Sequence, residues 1–193
     1  SNKLNPTSPT TLTVGLSVTD VADVKRTNLF EKGLVSLVSI KLSDSRIDDA
    51  SIMIDFSPGG ISDWSFTRLT IEDKFEKKTK FFGARNRNIL GWIWSGTKGV
   101  PVQERFTVEG AGSATMLQKG YLRDASSFYG DLDLRNQYHL PGDANLRAFG
   151  NQNFVGVEKI LSNNFEAFLH KRFGPINFEL ATFLDYGILS GSK

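Results

Sequence analysis

TLTVGLSVT, residues 11–19, alternates apolar and polar side chains without interruption. Its apolar side chains stand at every second position and are Leu12, Val14, Leu16 and Val18. Threonine, serine and glycine fill the positions between them. Because successive side chains of a strand point to opposite faces of a sheet, this spacing predicts a β-strand with one apolar and one polar face.

The same spacing recurs along the chain, between turn signals rich in glycine, proline and serine. The strands predicted in this way lie at about 11–19, 33–43, 50–57, 62–72, 79–95, 103–111, 127–139, 158–172 and 175–189. Residues 20–32 are the one stretch for which we predict a helix, and the charged run 72–80 is predicted to be a solvated turn. Several strands exceed the usual length of about five or six residues, so an all-β barrel or large sandwich is expected.

Composition excludes several classes of function. The 23 Lys and Arg nearly cancel the 21 Asp and Glu, so the net charge gives no reason to expect a nucleic-acid partner. The chain has no cysteine, and its two histidines, His139 and His170, lack the spacing of a metalloprotease motif. We therefore predict no catalytic residue, no metal site and no cofactor, and we expect that the protein is not an enzyme.

The two faces of the strands leave two architectures open. A soluble sandwich buries its apolar faces between two sheets, whereas an outer-membrane barrel turns them toward lipid and lines its lumen with polar residues. No apolar run approaches the roughly 20 residues of a membrane-spanning helix, but a membrane strand needs only about 10. Alternation by itself does not distinguish these architectures.

Three short motifs follow one another in the C-terminal part of the chain. They are Asn145-Leu146-Arg147-Ala148-Phe149-Gly150, then Asn164-Phe165-Glu166, then Phe183-Leu184-Asp185-Tyr186-Gly187. With this order over about 103–189, the chain resembles the outer-membrane barrel proteins of the BamA and FhaC type, the surface-antigen barrel superfamily. These proteins carry an Arg-Gly-aromatic motif at the tip of a loop folded into the barrel. Ala148 stands where they have glycine, and residues 1–102 resemble them by strand pattern alone.

The resemblance implies an all-β fold, an antiparallel transmembrane β-barrel of about 16 strands. Residues 1–193 would form a large part of the barrel, incomplete at both ends, and 140–157 would be a loop folded into the lumen. The implied function is insertion or export of proteins at the bacterial outer membrane. The implied partners are outer-membrane lipid, unfolded or secreted polypeptides and accessory lipoproteins, without nucleic acid.

The resemblance also implies a contact between the loop and the barrel wall. Its predicted residues are Arg147, Phe149, Glu166, Glu179, Phe183, Asp185 and Gly187. A guanidinium can grip a carboxylate with two parallel hydrogen bonds, and spacing allows Arg147 to reach Asp185, with the two glutamates on neighbouring inward positions. Phe149 would pack beside Phe183 and Gly187, since a glycine lets another segment approach closely.

Three alternative functions remain at this point. The first is a pore of the two-partner secretion type, which would share all three motifs. The second is a barrel that anchors or exports an enzymatic domain outside this chain. The third is a soluble β-sandwich that binds carbohydrate, with Trp92 and Trp94 as a stacking platform.

Overall fold

The computed structural model of the protein describes residues 10–22, 30–44, 50–108, 143–144, 146 and 156–191. These residues form one antiparallel sheet, which confirms the all-β prediction. Its strands are β1 (Thr10–Val21), β2 (Gly33–Asp44), β3 (Ala50–Ser57), β4 (Phe66–Lys78), β5 (Phe82–Ser95), β6 (Lys159–Phe173) and β7 (Ile176–Ser190). Within the described ranges no helix is long and apolar enough to cross a membrane.

Each strand pairs with its neighbours in sequence, so the order across the sheet is β1 to β7. Seven strands are described, fewer than the nine or ten predicted, and the predicted strand 127–139 lies outside the described residues. The described sheet is open, because β1 pairs only with β2 and β7 only with β6. The structure therefore supports an antiparallel all-β fold, while closure into a barrel stays a prediction.

The register lines up apolar residues across one side of the sheet, next to a hydrogen-bonded polar group of Asp73, Asn86, Asn88 and Asn163 on the same side. One row of directly opposed residues crosses all seven strands and is wholly apolar: Leu12, Leu42, Ile52, Ile71, Leu90, Leu161 and Ile188. All seven side chains of this row are exposed. We call this side of the sheet the open face and the opposite side the covered face.

The covered face carries the core of the described structure. Residues 99–108, 143–144 and 146, which we call the covering segment, contribute Val100, Phe106, Val108, Ala144 and Leu146 to one buried apolar cluster. Strand residues of the covered face complete the cluster, among them Val35, Leu37, Phe66, Ile89, Ile93 and Ile160. The Phe106 ring lies directly over Gly91, where a Cβ would stand 2.5 Å from its Cζ. The glycine is therefore what lets the segment pack onto the sheet.

The predicted strand 103–111 is wrong in its described part. Residues Val102–Glu104 form a single 3₁₀ turn, and Phe106 makes only an isolated antiparallel bridge with Val157. Apolar residues alternate here because Phe106 and Val108 both enter the core cluster, not because the segment extends the sheet. Its backbone is held instead by two main-chain hydrogen bonds. The Ala144 amide donates to the Thr107 carbonyl oxygen at 2.9 Å, and the Leu146 amide donates to the Val108 carbonyl oxygen at 3.0 Å.

Two further predictions from the sequence are wrong. The charged run 72–80 is not a turn up to residue 78, because β4 continues to Lys78 and pairs with β5 throughout. Its charges alternate in sign on the covered face, where Glu72 binds Arg87 and Lys74. The helix predicted for 20–32 is absent from its described part, since Asp20 and Val21 end β1 and residues 30–32 are irregular. Residues 23–29 lie outside the described ranges.

Candidate functional site on the covered face

The contact of Leu146 with Gly187 links the covering segment to the C-terminal strands. Leu146 is buried. A Cβ built on Gly187 would lie 3.0 Å from the Cδ1 atom of Leu146. The same Cβ would lie 3.0 Å from the carbonyl oxygen of Leu161. The absence of a side chain at 187 thus makes the space that Leu146 fills. Arg147 follows Leu146 directly in the sequence.

The second and third predicted motifs are cross-strand partners. Asn164 of β6 stands opposite Asp185 of β7, and its Nδ2 donates to the carboxylate Oδ1 at 3.1 Å. Glu166 stands opposite Phe183 in the same register. Phe183, Asp185 and Gly187 of β7 share the covered face. The Phe183 side chain is more than half exposed.

The two glutamates of the predicted site bind an arginine that sequence reasoning missed. Arg85 of β5 donates from Nη1 and Nη2 to Glu179 at 2.8 and 3.3 Å, and its Nη1 lies 3.3 Å from Glu166 Oε2. The pairing links three consecutive strands. The sequence does indicate that Arg85 and Arg87 share one face of β5, because they alternate with asparagines. What the sequence lacked was the register that places Arg85 opposite Glu166.

A second arginine, Arg68 of β4, fixes the covering segment to the sheet. Its Nε and Nη2 both lie 2.8 Å from Oδ2 of the buried Asp55, which also accepts a hydrogen bond from Ser39 Oγ. From the same guanidinium, Nη1 donates to the main-chain oxygen of Glu104 at 3.0 Å and lies 3.5 Å from its carboxylate. Arg68 therefore joins the sheet to the 3₁₀ turn of the covering segment.

Burial raises the pKa of Glu104, and the nearby Arg68 only partly opposes that effect. Asp55 and Asp143 add to the rise through their negative charge. Arg68 forms ion pairs with both Asp55 and Glu104, and the exposed fraction of the Glu104 side chain is only 5%. Since a charged carboxylate is unfavourable in such surroundings, protonation of Glu104 favours the docked segment.

Asp143 holds the two halves of the covering segment together. Its carboxylate accepts from the Thr107 amide at 2.7 Å and from Thr107 Oγ1 at 3.1 Å. Arg87 of β5 donates from Nη1 to the Asp143 main-chain oxygen at 3.0 Å and from Nε to Glu72 at 2.6 Å. Asp143 is in this way tied both to Thr107 and to the sheet.

The structure brings together only part of the predicted contact. Arg147 and Phe149 lie outside the described residues, so their contacts with Asp185, Phe183 and Gly187 stay predictions. Glu166 and Glu179 are joined through Arg85. Leu146, a described residue of the 140–157 loop, packs at Gly187. This part of the loop therefore lies beside the strand that carries Asp185.

Chemically, this site is a set of polar contacts that hold the covering segment against the sheet. The described ranges contain no group of three or more His, Cys, Asp or Glu side chains that could hold a metal ion. In each polar contact an arginine of the sheet binds a carboxylate or a main-chain oxygen. Between these contacts, glycines of the sheet leave room for buried side chains of the segment. Comparison with family models, curated proteins and solved structures finds no match to this chain.

Proposed function

We propose that the sheet is part of a transmembrane β-barrel of the bacterial outer membrane, of the type that inserts or exports polypeptides. The observation that carries this proposal is the set of exposed apolar side chains on the open face, which includes a row across all seven strands. Its side chains are as exposed as 80% for Leu16 and 70% for Ile188, at opposite edges of the sheet. Monomeric soluble proteins rarely expose contiguous apolar patches larger than a few hundred Å². In a membrane these side chains would contact the hydrocarbon core of the bilayer and not water.

The polar character of the covered face supports the same proposal. Arg68, Arg85 and Arg87 all point to this side, together with their carboxylate partners. These directional contacts hold the covering segment in place beside the buried apolar cluster that it shares with the sheet. In this proposal the covering segment occupies the lumen. Substrate chains pass through the lumen or pair with a barrel edge, where unpaired backbone groups can template a new strand.

Two pore variants share these features with the proposed function. A two-partner secretion pore and a barrel that anchors an enzymatic domain would have the same lipid-facing and lumen-facing sides. The described sheet carries no observation that favours either of them. We therefore keep polypeptide assembly or transport as the proposed class, with accessory lipoproteins among its expected partners.

A soluble carbohydrate-binding sheet is the second candidate. Trp92 and Trp94 lie on the open face with ring centroids 5.8 Å apart and planes inclined by 24°. Both are exposed, as a stacking platform requires. However, Lys159 lies 4.1 Å from the centroid of the Trp92 ring and occupies part of that surface. Exposed apolar side chains also occur on all seven strands of this face, well beyond the two tryptophans, so the membrane proposal accounts for more of the sheet.

Fractionation and one pair of variants test the proposed function. The protein should stay with the outer membrane until detergent is added and should migrate differently on gels before and after heating. Leu16→Arg, on the open face, should impair insertion, because an arginine facing mid-membrane lipid costs about 2–4 kcal/mol. Ser17→Arg, its neighbour on the covered face, is the matched control and should insert normally. Full solubility without detergent, or equal behaviour of the two variants, would contradict the proposal.

A further inference from the structure

Two hairpins at one end of the sheet, those between β4 and β5 and between β6 and β7, carry an unbalanced positive charge. Residues 77–82 and 169–176 hold five lysines and arginines and no carboxylate. We call these residues, Lys77, Lys78, Lys80, Lys171 and Arg172, the basic rim. Exposed aromatic residues accompany them, with the Lys80 Nζ 5.3 Å from the ring centroid of Phe81. The nearest acids, Glu76 and Glu179, are engaged by Lys78 and Arg85.

The rim is one connected piece although two hairpins form it. The His170 amide donates to the Phe81 oxygen at 2.9 Å, and the His170 Nε2 lies 2.8 Å from the Thr79 oxygen. These contacts fix the β4–β5 turn beside the end of β6. Lys80 and Lys171, which belong to different hairpins, are therefore carried on the same rigid edge.

An apolar cleft opens directly beside the rim. Its volume is about 410 Å³, and its walls include Phe82, Leu169 and Leu180 of three neighbouring strands. Ala167 and Thr182 form part of the lining, and their small side chains leave the room between the larger ones. Lys77 shares the open face with these residues, in the row that runs from Lys77 through Ala84 and Ala167 to Thr182. Cations and an apolar cleft thus adjoin on one surface.

The lengths of the connections between strands indicate at which end of a barrel the basic rim would lie. Strands are joined at the rim end by residues 45–49, 79–81 and 174–175, whereas 22–32, 58–65 and 96–158 join them at the opposite end. Outer-membrane barrels have short periplasmic turns and long extracellular loops. If the proposed function holds, the basic rim stands at the periplasmic leaflet, which consists of phospholipid.

We propose that the basic rim and the adjoining cleft bind an anionic phospholipid. The phosphate groups lie against Lys77, Lys80 and Lys171, and one acyl chain enters the cleft between β5, β6 and β7. Charge complementarity selects the head group, because basic side chains near a membrane surface attract anionic lipids. The cleft suits an alkyl chain, since its walls are almost wholly apolar. This inference rests on the proposed function.

Lipid binding to the folded protein in neutral detergent tests the site. Labelled phosphatidylglycerol should bind more tightly than phosphatidylcholine. The double variant Lys80→Ser and Lys171→Ser should weaken the binding of phosphatidylglycerol about tenfold or more. The matched control, Lys32→Ser with Lys98→Ser, removes two exposed lysines from the opposite end and should bind normally. In the cleft, Thr182→Leu should lower the affinity, whereas Thr67→Leu, on the same face but outside the cleft, should not.

Heat-modifiable migration identifies the variants that have folded, and only those enter the comparison. Equal affinity for the two lipids, or equal losses in the two lysine variants, would overturn the lipid site while leaving the barrel intact. Full solubility of the chain without detergent would overturn the proposed function, and the lipid site with it. The two failures are therefore distinguishable.

Discussion

Replacing Gly187 by alanine should release the covering segment from β7. The new Cβ would stand 3.0 Å from Leu146 Cδ1, 3.0 Å from the Leu161 carbonyl oxygen and 3.4 Å from Ser162 Cβ. A leucine methyl can move, but the carbonyl belongs to a strand that pairs with β7 over its whole length. Overpacking of this kind costs about 1–3 kcal/mol. We expect a loss of that size in the free energy of unfolding, measured by urea titration of the folded protein.

Gly15→Ala is the matched control for this change. Gly15 also lies on the covered face of a strand, but its added Cβ would meet only Ser39 Cβ, at an ordinary 3.7 Å. Since alanine loses less chain entropy than glycine on folding, this variant should be neutral or slightly more stable. The two variants add the same methyl group, so the difference between them measures the crowding at Gly187.

A double variant isolates the contact with Leu146. Leu146→Ala alone should cost about 2–5 kcal/mol, because it leaves a cavity in the core cluster. In Gly187→Ala with Leu146→Ala the smaller side chain makes room for the added Cβ. The combined loss should therefore be smaller than the sum of the two single losses, by about 0.5–3 kcal/mol. Equal stability of Gly187→Ala and Gly15→Ala, or a strictly additive double variant, would refute the reasoning.

The remaining predictions concern the charged contacts. Arg147→Ala and Asp185→Asn should each weaken loop docking and polypeptide assembly, and the double variant should be no worse, whereas additive losses would reject the contact. Arg68→Met leaves the buried carboxylate of Asp55 unpaired and should cost about 3–5 kcal/mol in unfolding free energy. Protection of the covering segment from protease should fall as pH rises above 4.5, the ordinary pKa of Glu104, because the folded protein keeps this proton to higher pH than the unfolded chain. Glu104→Gln should remove that dependence, and an unchanged pH profile would contradict the burial argument.

The strand pattern could be predicted where both faces have one character over many residues. For β1 and β3, the alternation of Leu12 to Val18 and of Ile52 to Phe56 gave the strand and its two faces directly. The pattern misled where alternation arose in another way. Phe106 and Val108 alternate as core residues of an irregular segment, and the charges of 72–78 alternate because they pair across the covered face. Local spacing looks alike in these cases, since it records only where side chains point.

Several residues of the site could be predicted from the sequence, but the partners that they bind could not. The motif residues Asn164, Asp185 and Gly187 were identified from the sequence, and so was the shared face of Asp185 and Gly187. Arg85 and Arg68 were missed, because their partners lie 94 and 36 residues away in the chain. An ion pair of that separation depends on the register of several strands, and one residue of slip would turn each side chain to the other face.

The sequence by itself determined the all-β class, the long strands and the division of each strand into an apolar and a polar side. Only the tertiary structure decided which polar groups meet, that Leu146 packs at Gly187, and that a row of apolar residues across seven strands is exposed on one side of the sheet. The physical reason is the range of the interactions. Side-chain direction follows from the local backbone, whereas pairing and burial depend on segments that only the folded sheet brings together.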